Sequence, residues 1–318
     1  MHRVVSLKFK RGLALTALAA AALIAGCGGG GTSQIEPFAP TRLIAFGDES
    51  GAILQSGKKY TINGLNPDTR QIECRANPVW TQVLASGFNF VFSQCNTDFV
   101  VLPQGIMYAA AGVKVADVRD KIDQHLSNDR FGPKDLVSMM VGVNDILELY
   151  RQFPAVSKDS LINEAKARGK LLAEQANRIA NANGRVLVAT IPDVGLTPFG
   201  WKEREQQTDI DRAAFLDQLS AAFNISMRLN LINDGRLIGL VLVDETIQQI
   251  ARFPGAFGYS DVTQAACRSE IAPQDCTTET LKADATPTWL WAGDTLLGPT
   301  AQQRIGVLAL TRAKNNPF

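Results

Sequence analysis

The sequence predicts an α/β fold, a three-layer α/β/α sandwich around a central parallel sheet. Two observations lead to this class. Short apolar runs of the kind found in buried strands alternate along the chain with longer segments of helical periodicity. Polar residues directly follow several of these runs, as they do where a parallel sheet forms a cleft at the carboxyl ends of its strands. With no internal repeat in view, we expect residues 41–318 to form one domain.

The strands are predicted from four apolar runs. Each is short, rich in Val, Leu, Ile or Met, and followed within two residues by Gly, Pro or Asp. The four runs are Arg42–Phe46, Asp135–Val141, Arg185–Thr190 and Leu237–Val243.

Helices are predicted between the strands. Asn77-Pro78 opens the first, with Pro in its first turn. In residues 113–127, Val115, Val118, Ile122 and Leu126 recur at helical spacing, which indicates an amphipathic helix. Three longer helices are predicted over residues 159–182, 209–233 and 299–312, and residues 254–288 read as a long excursion pinned by a disulfide.

The first 26 residues have the pattern of a secretory signal. A basic head precedes the apolar run Leu13–Ile24, which is too short to cross a bilayer, since a spanning helix needs about 20 apolar residues. Leu23-Ile-Ala-Gly-Cys27 resembles the bacterial lipobox, which implies that Cys27 is acylated and becomes the mature N-terminus. An ordinary signal peptide with an incidental Cys27 is the alternative.

We therefore expect a secreted protein anchored to a membrane by lipid on Cys27, with residues 27–40 as a flexible tether. Gly28 after the acylated position favours the outer membrane or the periplasmic face. Residues 1–26 hold four Lys/Arg and no Asp/Glu, so the mature chain is slightly acidic. Without a basic block, nucleic acid is excluded as an expected partner.

Cysteine and histidine usage bounds the chemistry. Besides Cys27 the chain has Cys74, Cys95, Cys267 and Cys276, and an even number in an oxidising compartment predicts two disulfides. Pairing Cys74 with Cys95 and Cys267 with Cys276 is the most economical of the three connectivities. Only one histidine, His125, lies beyond the signal, so no zinc site is expected.

Several sequence blocks occur in a recognisable order across residues 41–312. They are Ala45–Asp48, Pro78–Trp80 with Leu84-Ala85, Tyr108–Gly112, Val141–Asp145, Ile191–Pro198, Ala256–Thr263 and Trp291–Pro299. In these blocks the chain resembles the SGNH (GDSL-type) ester hydrolases, especially their bacterial secreted esterase and phospholipase-like branch. The resemblance implies a flavodoxin-like sandwich, ester hydrolysis without a cofactor, and an oxyanion hole made by the Gly112 N–H and the Asn144 side chain.

The chain departs from the family at its catalytic positions. Glu49 stands where the nucleophilic Ser belongs. In the last block, Gly293 stands where the family has Asp, and Leu296 where it has His. Asp294, one place further on, is a candidate for part of the acid's role.

Two residues could be proposed as substitutes. Ser50 follows Glu49, but one step along a helical turn rotates a side chain by about 100°, so we expect it to point elsewhere. His125 lies in the helix 113–127 beside the charged stretch Asp120–Gln124, and we expect it to be solvated and remote from the cleft. Trp80, Trp201 and Trp291 would favour ligand binding if they flanked an open pocket; core packing is their ordinary role.

The leading hypothesis is a surface lipoprotein that keeps the hydrolase fold but binds an acyl, glycan or lipid ligand instead of cleaving an ester. Glu49 is then predicted to accept hydrogen bonds from Gly112 and Asn144 and so to occupy the oxyanion hole. The first alternative is an active ester hydrolase in which Glu49 and Asp294 act as a carboxylate pair. The second is a structural envelope protein whose cleft is filled.

Overall fold

The computed structural model describes residues 37–318, which form one compact unit. The predicted signal peptide, Cys27 and the first part of the tether lie outside the described residues. None of the helices within residues 37–318 is both long and apolar enough to cross a membrane.

A parallel sheet of five strands forms the centre of the described chain, in the order β2-β1-β3-β4-β5. The predicted α/β class with a central parallel sheet is confirmed. Leu43 of β1 pairs with Gly105 of β2 on one side and with Leu136 of β3 on the other. The strands are β1 (Arg42–Gly47), β2 (Gly105–Met107), β3 (Asp135–Met140), β4 (Arg185–Ala189) and β5 (Ile238–Val241).

The sequence located four of these strands and missed β2. That strand has only three residues, too few to show an apolar pattern. The predicted run Leu237–Val243 overshoots β5, because Val243 already begins a helix. An apolar run that passes from a strand into the first turn of a helix gives no periodic signal at the boundary.

Helices cover both faces of the sheet, and alternate residues of each strand point to opposite faces. Ile44 and Val137 pack in the core that holds α2, α3, α4 and α6, while Leu43 and Leu136 pack in the core that holds α1, α7 and α8. The helices are α1 (Trp80–Ser86), α2 (Val115–Asn128), α3 (Val143–Tyr150), α4 (Lys158–Asn181), α5 (Pro198–Gln206), α6 (Arg212–Asn230), α7 (Val243–Arg252) and α8 (Pro299–Asn315).

The first helix differs from the prediction. Val79 is its N-cap, so Pro78 lies outside the helix instead of in its first turn. A backbone that is already extended at Pro78 and Val79 enters the helix only at Trp80, which is buried.

The excursion predicted at residues 254–288 carries a small sheet of its own. Its strand β6 (Asp261–Ala265) pairs in parallel with β7 (Trp289–Trp291), and a third apolar cluster lies beneath them. Both disulfides have the economical connectivity, Cys74–Cys95 and Cys267–Cys276, so that pairing is confirmed.

Close packing between α4 and α6 supports the carboxyl edge of the sheet. Gly169 of α4 lies so close to α6 that a Cβ there would stand 2.2 Å from the carbonyl oxygen of Phe223. The ring of Phe223 in turn lies under Gly142, where a Cβ would meet its Cζ at 2.6 Å. Gly142 has a φ of 139°, is the N-cap of α3 and lies two residues before Asn144.

We expect Gly169→Ala to lower the free energy of unfolding by about 1–3 kcal/mol, because the added methyl must push α4 away from α6. Chemical denaturation monitored by circular dichroism would measure this. Gly255→Ala is the matched control, since no described atom lies within 4 Å of a Cβ at that position. An equal effect of both substitutions would contradict the packing argument.

Candidate functional site

The carboxyl end of β1 turns sharply. A Cβ at Gly47 would stand 2.4 Å from the carbonyl oxygen of Met140 on β3, and Gly47 has a φ of 152°. Both facts require glycine. The chain then passes through Asp48 into the one-turn 3₁₀ segment Glu49–Gly51. This segment sets the directions of the Glu49 and Ser50 side chains.

Ser50 points away from the site. Its backbone N–H donates to Asp48 Oδ1 at 3.0 Å, and its hydroxyl donates to the same oxygen. Asp48 is buried, at 2% exposed. Ser50 is therefore held by a neighbouring carboxylate, and among the described residues it is not part of the cavity wall described below.

Glu49 lies where the family's nucleophile would be. Its Oε2 accepts a hydrogen bond from the Gly112 N–H at 2.9 Å and another from Asn144 Nδ2 at 3.0 Å. This is the contact that the sequence predicts. Asn144 also donates to the carbonyl of Val113 at 3.2 Å, which fixes its amide plane.

The two donors are held by the segments that follow β2 and β3. Gly112 has a left-handed φ of 73°, which aims its N–H at Glu49. Asn144 stands in the first turn of α3, next to Asp145. Asp145 accepts from the Val115 N–H at 3.0 Å and pairs with Arg168 at 3.2 Å, so it ties the start of α2 to α3 and α4. No pattern in the sequence indicates this positioning role of Asp145.

All five family positions line one cavity of about 380 Å³. Glu49, Gly112 and Asn144 form one part of its wall, and Gly293 and Leu296 form another together with Asp294. The disulfide-pinned excursion supplies further wall residues that the sequence did not place at the site. They are Ala265, Cys267, Arg268, Ser269, Ile271, Pro273 and Lys282.

The last block folds as a tight turn. The N–H groups of Ala292 and Gly293 both donate to the carbonyl of Leu296, at 2.7 and 3.2 Å. A Cβ at Gly293 would stand 3.2 Å from Cδ1 of Leu296. Leu296 is 9% exposed and thus fills the place of an imidazole with an aliphatic side chain. Asp294 is exposed, and its backbone carbonyl accepts from the Phe199 N–H.

His125 is buried, and the prediction that it is solvated was wrong. It is 1% exposed and packs against the rings of Phe131 and Tyr108, at centroid distances of 4.5 and 5.6 Å. Burial lowers the pKa of its imidazole. The spacing of 118, 122 and 125 along α2 places it on the apolar face, whereas the charged neighbours occupy the other faces. It is not among the residues that line the cavity in the described chain.

Two of the three named tryptophans are core residues. Trp80 and Trp291 are fully buried, as the ordinary interpretation predicts. Trp201 lines a separate cavity of about 360 Å³ together with Asp193 and Gln248. Within residues 37–318 there is no cluster of three or more His, Cys, Asp or Glu that could hold a metal ion.

Beside the cavity lies an unusual acid. Burial, and then the negative charge of Glu49, raise the pKa of the Asp48 carboxyl to about 7. Among the described residues its Oδ2 has no hydrogen-bond partner. The Asp48 side chain therefore keeps a proton up to near neutral pH.

A glycine N–H and an asparagine amide meet a carboxylate at the carboxyl ends of β1, β2 and β3 in a parallel three-layer sandwich, and the two donors are those that the resemblance to the SGNH/GDSL hydrolases implies. The predicted resemblance to that family is confirmed.

Comparison with known proteins gives the following. No family model matches the sequence. The chain is 25% identical over 235 residues to a phosphatidylcholine-sterol acyltransferase of Aeromonas hydrophila, a match that covers 71% of this chain and 65% of that protein.

Solved structures similar to the chain include a member of the lipolytic G-D-S-L family from Veillonella parvula, with 12% identity, a TM-score of 0.41 and coverage of 85% of this chain and 96% of that one. They also include the acetylxylan esterase Axe2 from Geobacillus stearothermophilus, with 12% identity, a TM-score of 0.44 and coverage of 87% and 96%.

The raised pKa of Asp48 predicts a pH-dependent stability. An unfolded Asp titrates near 3.9. The stability that protonated Asp48 contributes is thus present in full below about pH 4 and is lost as the pH rises through about 7. The free energy of unfolding should fall by up to about 1.4 kcal/mol per pH unit in that window. Asp48→Asn should remove the contribution of Asp48 to this pH dependence of the free energy of unfolding, as measured by chemical denaturation at a series of pH values.

Asp217 is the control for this experiment. Burial, and then the charge of Asp193, raise its pKa to about 7 as well. Glu49→Gln should shift the contribution of Asp48 to lower pH and leave that of Asp217 unchanged. A wild-type slope in Asp48→Asn would show that Asp48 does not hold the proton.

Proposed function

We propose that this chain is a lipid-anchored envelope protein with an SGNH/GDSL hydrolase fold that binds an acyl, glycan or lipid ligand and has lost the family's ester hydrolysis. One observation carries the proposal: the Glu49 carboxylate accepts hydrogen bonds from both the Gly112 N–H and the Asn144 amide.

The two donors are of the kind that stabilises an oxyanion during acyl transfer. Such donors accelerate a reaction only if they are free to bind the charge that develops in the transition state. A permanent carboxylate satisfies them in the resting protein. The site is therefore suited to holding its own anion and not to stabilising a transient one.

The remaining catalytic groups are also missing. A serine hydroxyl is a weak nucleophile without a positioned base, and loss of either group from a triad lowers turnover by roughly a million-fold. Here Glu49 replaces the hydroxyl and Leu296 replaces the imidazole. Ser50 is not placed to substitute, because it does not line the cavity in the described chain.

Ligand binding is supported by the cavity. Its volume of about 380 Å³ falls in the range of small-molecule sites, roughly 300–1,000 Å³. The wall combines the cations Arg268 and Lys282 with the apolar Ile271 and Pro273. An acyl group beside a polar head would suit such a wall. The relative from Aeromonas hydrophila is named as a phosphatidylcholine-sterol acyltransferase, so acyl ligands are the first to test.

The lipid anchor rests on the sequence alone. A basic head, a short apolar run and the lipobox-like segment ending at Cys27 support export and acylation, with the outer membrane or periplasmic face as the expected location.

A second candidate is an active ester hydrolase that uses carboxylates. Glu49 and Asp294 line the same cavity, which favours it. Against it, Oε2 of Glu49 already accepts two hydrogen bonds, so only Oε1 is left to activate a water.

The test is a p-nitrophenyl acetate and butyrate assay on the soluble chain from residue 33 onward. Wild type should be silent. The triple variant Glu49→Ser, Gly293→Asp, Leu296→His should gain at least about 100-fold over wild type, since it restores the nucleophile and base and frees the oxyanion hole. Leu296→His also removes the side chain that an Asp at position 293 would meet.

Two matched variants separate the contributions. The first variant carries Glu49→Ala with Gly293→Asp and Leu296→His, which opens the oxyanion hole without supplying a hydroxyl. The second carries only Gly293→Asp and Leu296→His, so Glu49 still fills the hole. Neither variant should hydrolyse the esters. Wild-type turnover that Glu49→Gln abolishes would refute the proposal in favour of the carboxylate mechanism. A silent triple variant would favour a structural role for an inherited fold.

A further inference from the structure

The loop before β2 carries a group of large apolar side chains that face solvent. Phe99 is 87% exposed, Val101 91% and Leu102 77%, and Val100 between them is half-buried. We call Phe99–Leu102 the apolar tip. Three exposed apolar residues of this size within four positions are unusual on a protein surface and mark a contact site.

The apolar tip has a defined conformation, which hydrogen bonds and a disulfide hold in place. The Asn96 side chain accepts from the Val100 N–H at 2.9 Å and donates to the Val100 carbonyl at 2.8 Å, which closes the loop on itself. Cys95, at the base, is bonded to Cys74. Phe99 has a left-handed φ of 54°, an unfavourable conformation for a bulky residue, and this conformation turns its ring outward.

The tip lies at the amino edge of the sheet. The carbonyl of Gln104, two residues after the tip, accepts from the Leu43 N–H at 3.0 Å at the start of β1. The chain therefore enters the described fold, through residues 37–42, at the edge that carries the tip. The candidate cavity lies at the opposite edge, and six residues of β1 separate the two by about 20 Å.

We propose that the apolar tip inserts into the interfacial region of a lipid bilayer and holds the amino edge of the domain against the membrane. Three side chains on one narrow loop bury a few hundred Å², well short of the about 800 Å² per partner of a stable protein interface. They match the Phe and Leu side chains with which peripheral proteins enter the headgroup boundary.

The length of the preceding chain agrees with this partner. Nine residues lie between Cys27 and residue 37, and the ten Cα–Cα steps span at most about 36 Å. If Cys27 is acylated, as proposed above, the amino edge is confined to within that distance of the bilayer. The tip would then face the membrane, and the cavity would face the aqueous side, from which its ligand enters.

The experiment measures partitioning of the soluble chain 33–318 onto vesicles of phosphatidylethanolamine and phosphatidylglycerol by co-sedimentation. This chain lacks Cys27, so the result depends on neither the anchor nor the esterase assay, and the two proposals can fail separately. We expect binding to vesicles, and at least a 10-fold weaker partition for Phe99→Ser, Val101→Ser, Leu102→Ser.

The control is Ile225→Ser, Leu229→Ser on α6, which removes two other exposed apolar side chains and should leave the partition unchanged. Because all five positions are exposed, both variants should melt as wild type does. In a second measurement, Phe99→Trp should show a blue-shifted emission when vesicles are added. No binding by wild type, equal binding by the tip variant, or no shift in Phe99→Trp would overturn the proposal.

Discussion

One carboxylate oxygen, Oε2 of Glu49, joins the segments that follow three adjacent strands. Glu49 follows β1 at the centre, Gly112 follows β2 on one side, and Asn144 follows β3 on the other. Parallel strands place their carboxyl ends at the same edge of a sheet, where backbone N–H groups and side chains converge with few partners of their own. A hydrolase leaves these donors for its substrate. This chain supplies an acceptor of its own, and the three segments are cross-linked.

The cross-link has an electrostatic cost. Asp48 is buried and the Glu49 carboxyl lies next to it, so two carboxyl groups share a small volume. The molecule accommodates this by keeping a proton on Asp48 up to near neutral pH. The strand-end turn that Gly47 permits places the two acids side by side, and the Gly112 N–H and the Asn144 amide donate to Glu49.

The sequence reveals the parts of this arrangement that depend on pattern. Long apolar runs gave β1, β3, β4 and β5, and the block order placed Glu49 against Gly112 and Asn144. The sequence could not reveal β2, because the pairing of this strand is set by its neighbour in the sheet and not by its own three residues. It also misplaced His125, because the charges next to it in sequence lie on other faces of α2. The sequence did not predict that residues 265–282 contribute to the cavity wall, because the position of a disulfide-pinned excursion depends on tertiary contacts.

The departures at the last block are physically coupled. An Asp at position 293 would meet the side chain of Leu296, because a Cβ there already stands 3.2 Å from its Cδ1. The glycine therefore suits the leucine, and an Asp could return at position 293 only if the Leu296 side chain moved by a few tenths of an ångström. Glu49, on another part of the cavity wall, is the third departure. Its carboxylate satisfies the oxyanion donors, and with Glu49 in this place an imidazole would have no serine hydroxyl to activate. Glu49, Gly293 and Leu296, which line the same cavity, thus all agree with the proposal that this fold is kept without the ordinary chemistry of a hydrolase.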